Sequence, residues 1–114
     1  MTTRECYDAL GGGYDEALGR MFSESLMTKF LKKFPADGTY AELKEHFLAH
    51  EDEAAFEAVH TLKGICLNLG LVDLSRSVSA LTEALRNGRK PEADGLMEQV
   101  GRDYDRAVFI IGQL

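Results

Sequence analysis

The chain has 114 residues, of which 45% are hydrophobic and 28% charged, so its composition is that of a globular protein rather than a disordered or fibrous one. This length fits one compact domain spanning residues 1–114. The formal net charge of −6 disfavours nucleic acid and anionic membrane surfaces as partners, because both repel an acidic protein.

The first third of the chain predicts short helices separated by turn residues. Three consecutive glycines at 11–13 separate an N-terminal lead from a first short helix over 14–22. Ser23 is placed to cap a second helix over 24–34 by accepting a hydrogen bond from an early backbone N–H. Helical spacing assigns four phenylalanines to the core: Phe22, Phe30, Phe34 and Phe47.

The next two helices are marked by capping signals. Thr39 and Glu42 form a T-x-x-E capping box ahead of a helix over about 40–50. Asp52 is placed to cap the following helix, which should end at Gly70 because glycine readily takes the left-handed conformation that stops a helix.

Two more amphipathic helices complete the pattern. One has its apolar stripe from Leu74 to Leu85 and is closed by Gly88, and the other starts with Pro91 in its first turn. Each of the longer helices has a single apolar stripe, which it can bury only against another helix. The sequence therefore predicts an all-α fold, an up-and-down four-helix bundle with an additional short N-terminal helix.

The helix that ends at Gly70 has a core face and a second face of mixed chemistry. At about 100° per residue, seven residues share roughly a third of its circumference: Ala55, Ala58, Val59, Leu62, Ile65, Cys66 and Leu69. His60 projects from the opposite side, with Gly64 one turn later and Lys63 toward one flank. Phe56 and Leu67 lie on the same side as His60, so this face is not simply polar.

These side chains suit an imidazole that accepts a phosphoryl group. An ordinary exposed histidine is largely neutral near pH 7, so a ring nitrogen is nucleophilic without a general base. Lys63 is within reach of the same surface and can neutralise the phosphoryl charge. Gly64 leaves room for a partner's active site, while Phe56 and Leu67 offer an apolar contact around the reacting group.

The run "HTLKG" at 60–64, followed by "NLG" at 68–70, resembles the signature of histidine-containing phosphotransfer (HPt) domains of bacterial and eukaryotic phosphorelays. The resemblance implies that His60 is the phospho-acceptor, that Lys63 interacts with the phosphoryl group and that Gly64 lets a response-regulator receiver domain dock. It also implies that the magnesium ion and the aspartate of the exchange belong to the receiver. We therefore expect no cofactor in this chain.

The expected function is that of a phosphorelay intermediate rather than an enzyme. His60 would accept phosphate from a receiver phospho-aspartate, or from a sensor histidine kinase, and pass it to another receiver. No ATP-binding motif is present, so we expect no autophosphorylation from nucleotide. The expected partner-binding residues are Phe56, Gly64, Leu67 and Asn68. The family often has small residues at 65–67, where this chain has "ICL". Since Leu67 lies on the same side as His60, we expect it to enlarge the docking surface.

Two alternatives remain open at this point. A pure docking module would keep the same face but accept no phosphate. A metal-binding bundle would use His46 and His50, which are four residues apart, although zinc would need two further ligands. We expect neither a metal nor an oligomer, and so a monomer.

The two cysteines bear on location rather than on chemistry. Cys6 is placed in the unanchored N-terminal lead and Cys66 on an apolar helix position, which is not a disulfide framework. No apolar run resembles a signal peptide or approaches the length of a membrane span. The expected location is therefore the cytoplasm.

Overall fold

Seven α-helices and one 3₁₀ turn, with no strand, make up the computed structural model, which describes residues 1–114. The helices in chain order are α1 (Thr3–Ala9), α2 (Tyr14–Met21), α3 (Glu24–Lys33), α4 (Thr39–Leu48), α5 (Asp52–Leu69), α6 (Val72–Leu85) and α7 (Ala93–Ile111). The 3₁₀ turn spans Phe34–Ala36, between α3 and α4. None of the helices is both long enough and apolar enough to cross a membrane.

Helices α4 to α7 form the bundle, and each packs against the next one in the chain. Aromatic side chains join the first and last helices of the bundle, α4 and α7. Tyr40 of α4 stacks on Tyr104 of α7, with ring centroids 4.0 Å apart. Phe34 adds a third ring from the 3₁₀ turn, 5.7 Å from that of Tyr104. The predicted all-α bundle is confirmed, with three shorter helices before it.

The N-terminal residues form helix α1, so the prediction of an unanchored lead is wrong. Thr2 and Glu5 make a capping box: Thr2 Oγ1 accepts from the Glu5 N–H at 3.1 Å, and Glu5 Oε1 accepts from the Thr2 N–H at 2.9 Å. Cys6 and Tyr7 are fully buried, and the Tyr7 hydroxyl donates to the Leu69 carbonyl at 2.7 Å. These contacts tie α1 to the end of α5.

The two caps predicted around α4 and α5 are also wrong. Thr39 lies inside α4, whose N-cap is Gly38, and the Thr39 N–H donates to Asp37 Oδ1 at 2.9 Å. Asp52 is the first residue of α5, and the N-cap residue Glu51 makes no side-chain hydrogen bond to the helix. In both cases the acidic or hydroxyl group stands one residue away from the position that the pattern suggested, a typical error for helix ends.

Other helix ends follow the sequence more closely. Ser23 Oγ accepts from an early N–H of α3, as predicted. Gly70 ends α5 in the left-handed conformation with φ 75°. Helix α6 ends at Leu85, three residues before Gly88, and Pro91 precedes the start of α7 instead of lying in its first turn.

Two of the four phenylalanines assigned to the core are exposed. Phe34 and Phe47 are buried, but Phe22 is 86% exposed and Phe30 is 42% exposed. Phe22 follows α2 in the left-handed conformation, with φ 63°, so helical spacing does not continue through it. Helix α3 buries Met27 and its neighbour one turn on, and Phe30 lies outside that stripe.

Both cysteines are buried and neither forms a disulfide. Burial raises the pKa of the Cys66 thiol to about 12 and also raises the pKa of Cys6 above its usual value. Because the thiolate is the reactive species, we expect both thiols to resist alkylation in the folded protein at pH 8. Intact mass after iodoacetamide treatment should show two adducts only in denaturant. Rapid labelling of either cysteine in buffer alone would contradict this prediction.

Candidate functional site

Helix α5 presents the predicted phospho-acceptor near its midpoint. The seven residues predicted for its core face are all buried or half-buried, with Ile65 and Leu69 at the half-buried edges. His60 is exposed on the opposite side of the helix. The apolar stripe therefore fixes the rotation of α5 and directs the imidazole to the surface.

An aromatic ring and an open stretch of backbone flank His60 along the helix. The Phe56 ring is half-buried and its centroid lies 5.9 Å from that of the His60 ring. One turn beyond His60, a Cβ added to Gly64 would meet no atom within 4 Å. Leu67 is 48% exposed. The structure thus brings Phe56, His60, Gly64 and Leu67 to one accessible face, as the sequence predicts.

Asn68 lies at the edge of this face, toward the shorter helices. Its side chain is exposed, and its backbone carbonyl accepts a hydrogen bond from Arg20 Nε at 3.4 Å. Asn68 therefore marks the junction between the His60 face and the end of α2.

Lys63 is half-buried on the flank of α5 that faces α6, and its ammonium makes no ion pair. Its positive charge nevertheless acts on a carboxylate of α6, that of Glu83. The pKa of Glu83 lies below its usual value, mainly because Arg86 donates hydrogen bonds to it and in smaller part because of the positive charge of Lys63. The ammonium is thus free of a fixed partner while lying near the carboxylate of Glu83.

Arg86, at the end of α6, also lies beside this face, and the sequence did not lead us to expect it there. Its Cζ lies 5.3 Å from the centroid of the Phe56 ring. The guanidinium also donates to both carboxylate oxygens of Glu83, at 3.2 and 3.1 Å. The sequence does contain a signal for this contact. Helices α5 and α6 are joined by a tight turn at Leu71, and residues equally far from that turn, such as Phe56 and Arg86, come side by side in an antiparallel pair.

The two histidines of the metal alternative have separate partners. His46 Nδ1 lies 3.1 Å from Glu51 Oε1, whereas His50 Nδ1 lies 3.0 Å from an Arg89 nitrogen. No group of three or more histidine, cysteine, aspartate or glutamate side chains is arranged to hold a metal ion. The geometry gives this alternative no support.

The arrangement around His60 suits the acceptance of an electrophilic phosphorus atom from a large partner. The imidazole is exposed and makes no hydrogen bond within the protein, so the lone pair of a ring nitrogen is free to attack a phosphorus atom that a partner presents. The cations of Lys63 and Arg86 lie on one flank, and Gly64 leaves the approach open. Charge neutralisation and access are thus provided on the same face.

The chain matches the Hpt domain family over residues 25–108, a range that includes the whole of α4, α5 and α6. It has no significant match among curated proteins or among solved structures. Hpt domains serve in two-component phosphorelays, where they interact with receiver domains and kinases. The chain belongs to the Hpt family, whose domains carry phosphoryl groups on a histidine.

Proposed function

We propose that this Hpt domain accepts a phosphoryl group on His60 from a receiver phospho-aspartate, or from a sensor kinase, and passes it to another receiver. The observation that carries the proposal is the exposed imidazole of His60 at the middle of α5, between the Phe56 ring and the open backbone of Gly64. No other histidine of the chain combines exposure, a free ring and a neighbouring glycine.

The chemical step requires little from the Hpt domain beyond a nucleophile and positive charge. A His60 nitrogen forms the N–P bond with its lone pair while the acyl phosphate P–O bond breaks, and that electron pair returns to the aspartate carboxylate. Lys63 and Arg86 offset the charge on the transferring oxygens. We place magnesium in the receiver, so the Hpt domain contributes no cofactor of its own.

The test is a phosphotransfer assay read by intact mass. The purified chain is incubated with a magnesium-bound receiver domain that has been charged with a small phosphodonor. We expect the mass of one phosphoryl group to be added and then lost in mild acid, because an N–P bond is acid-labile whereas a serine phosphoester is not. No gain with several receivers would favour the module that docks without accepting phosphate.

We extend the proposed docking surface for the receiver to the exposed apolar side chains at the end of α2 and on α3, the short helices that contact α5. These side chains, called the patch below, are Phe22, Leu26 and Phe30, which are 86%, 41% and 42% exposed. Arg20 joins it to α5 through its hydrogen bond to the Asn68 carbonyl. Exposed aromatic and aliphatic groups beside basic ones suit a partner surface that is apolar at its centre and acidic at its edge.

Phe22 is the residue of this patch that best tests docking. Asparagine tolerates the left-handed conformation at this position, so Phe22→Asn should leave the fold intact. Loss of one exposed aromatic anchor should weaken receiver binding by roughly ten-fold. Phe109, which is 70% exposed on α7, offers a matched control as Phe109→Asn. Binding isotherms with the same receiver would refute the docking role if the two variants behaved alike.

A further inference from the structure

The Arg86 guanidinium has two neighbours on the His60 face. One is the Phe56 ring, which the guanidinium approaches to 5.3 Å and which in turn lies 5.9 Å from the His60 ring. The other is the Glu83 carboxylate, which accepts from Nε at 3.2 Å and from Nη2 at 3.1 Å. This bidentate pair occupies one complete edge of the guanidinium, the geometry that arginine also uses to bind phosphate.

Glu83 lies at the level of His60 along the helix pair. The contact between Phe56 and Arg86 fixes the antiparallel register of α5 and α6. One turn along α5 leads from Phe56 to His60, and about one turn back along α6 leads from Arg86 to Glu83. His60 on α5 and Glu83 on α6 therefore lie at the same height along the bundle axis.

The Glu83 carboxylate is influenced by both cations of the site. Its pKa is lowered first by the hydrogen bonds from Arg86 and by the charge of Arg86, and then by the charge of Lys63. The same pair raises the pKa of Arg86. A phosphoryl group on His60 would draw on Arg86 and Lys63, because both cations lie on that flank. The Lys90 ammonium also lowers the pKa of Glu83, but less than they do, and it donates to the backbone carbonyls of Glu83 and Arg86.

We propose that Glu83 competes with the phosphoryl group of phospho-His60 for Arg86 and Lys63, and so limits how strongly the domain retains phosphate. The inference rests on the proposed function of His60. Before transfer, Glu83 keeps the guanidinium neutralised. After transfer, the phosphoryl dianion must displace or share that carboxylate, which makes phospho-His60 a better donor to the next receiver.

The direct consequence is a shift in the phosphate equilibrium. Glu83→Gln removes the competing charge but keeps the size of the side chain. Because the ion pair is exposed and screened by solvent, the ratio of phospho-His60 to phospho-receiver at equilibrium should rise by only about two- to five-fold. Spontaneous hydrolysis of isolated phospho-His60 should slow by a similar factor. Glu83 is a positioning residue and takes no part in bond formation.

The experiment measures the equilibrium ratio of phospho-His60 to phospho-receiver for wild type, Glu83→Gln, Arg86→Gln and the double variant. The receiver and the total amount of phosphate are the same in every reaction. Glu98→Gln on α7 is the matched control, because it removes an exposed acidic charge outside the site. If Glu83 acts through Arg86, the effect of Glu83→Gln should largely disappear in the Arg86→Gln background. Thermal melting of each variant separates this coupling from a change in stability.

The outcomes are distinct. A ratio that falls in Glu83→Gln would show that the carboxylate holds Arg86 in place for the phosphoryl group, and would overturn competition. A ratio equal to that of Glu98→Gln would overturn any role for Glu83. Failure of wild-type His60 to accept phosphate would overturn the proposed function, and this inference with it. A two- to five-fold rise that depends on Arg86 supports the proposal.

Discussion

Replacement of His60 by glutamine is expected to abolish phosphorylation of this chain by a charged receiver. Glutamine keeps a polar side chain of similar reach but has no ring nitrogen whose lone pair can attack phosphorus. The other two histidines provide controls on the same background, since His46 faces Glu51 and His50 faces Arg89. His46→Gln and His50→Gln should therefore become phosphorylated as wild type does.

The measurement is intact mass of each variant after the transfer reaction, followed by acid treatment. Because His60 is exposed, its replacement should change the free energy of unfolding by less than about 0.5 kcal/mol. Loss of labelling would then reflect chemistry and not misfolding. An acid-labile phosphoryl group that persisted on His60→Gln would place the acceptor elsewhere in the chain.

The arrangement along α5 could be read from the sequence because it depends on a single helix. Helical period alone separates the core stripe from the opposite side, so the exposure of His60 and the neighbouring position of Gly64 follow once the helix is assigned. The left-handed Gly70 sets the C-terminal end of that helix. The same argument places Phe56 and Leu67 on the side of His60, since each lies about one or two turns from it, and the structure has both on that face.

A contact between two helices and the shortest helix of the chain were missed. The approach of Arg86 to Phe56 requires the register of α5 against α6, which no single-helix pattern contains. The first helix was overlooked although Thr2 and Glu5 form a capping box and Cys6 and Tyr7 are buried beyond it, because seven residues give too little periodicity to stand out.

Arg89 joins the two turns at one end of the bundle. Only 15% of its side chain is exposed, and it donates to Asp52 Oδ1 at 3.3 Å and to Asp94 Oδ1 at 2.8 Å. A further hydrogen bond runs from Nη1 to the Phe47 carbonyl at 3.1 Å, and the guanidinium lies 3.7 Å from the Phe47 ring centroid. One side chain thus connects the end of α4, the start of α5 and the first turn of α7.

We expect Arg89→Ala to lower the free energy of unfolding by roughly 2–4 kcal/mol, because it removes a largely buried cation together with the hydrogen bonds that it donates to the Phe47 carbonyl and to Asp52. Arg102, exposed on α7 and bonded to Gln99, is the matched control, and Arg102→Ala should cost less than about 0.5 kcal/mol. Urea unfolding followed by circular dichroism measures both. Equal midpoints would contradict the role of Arg89 as a connection between the two turns. Phosphorylation of His60 should survive in Arg89→Ala below its unfolding transition, because the cluster lies outside the reacting face.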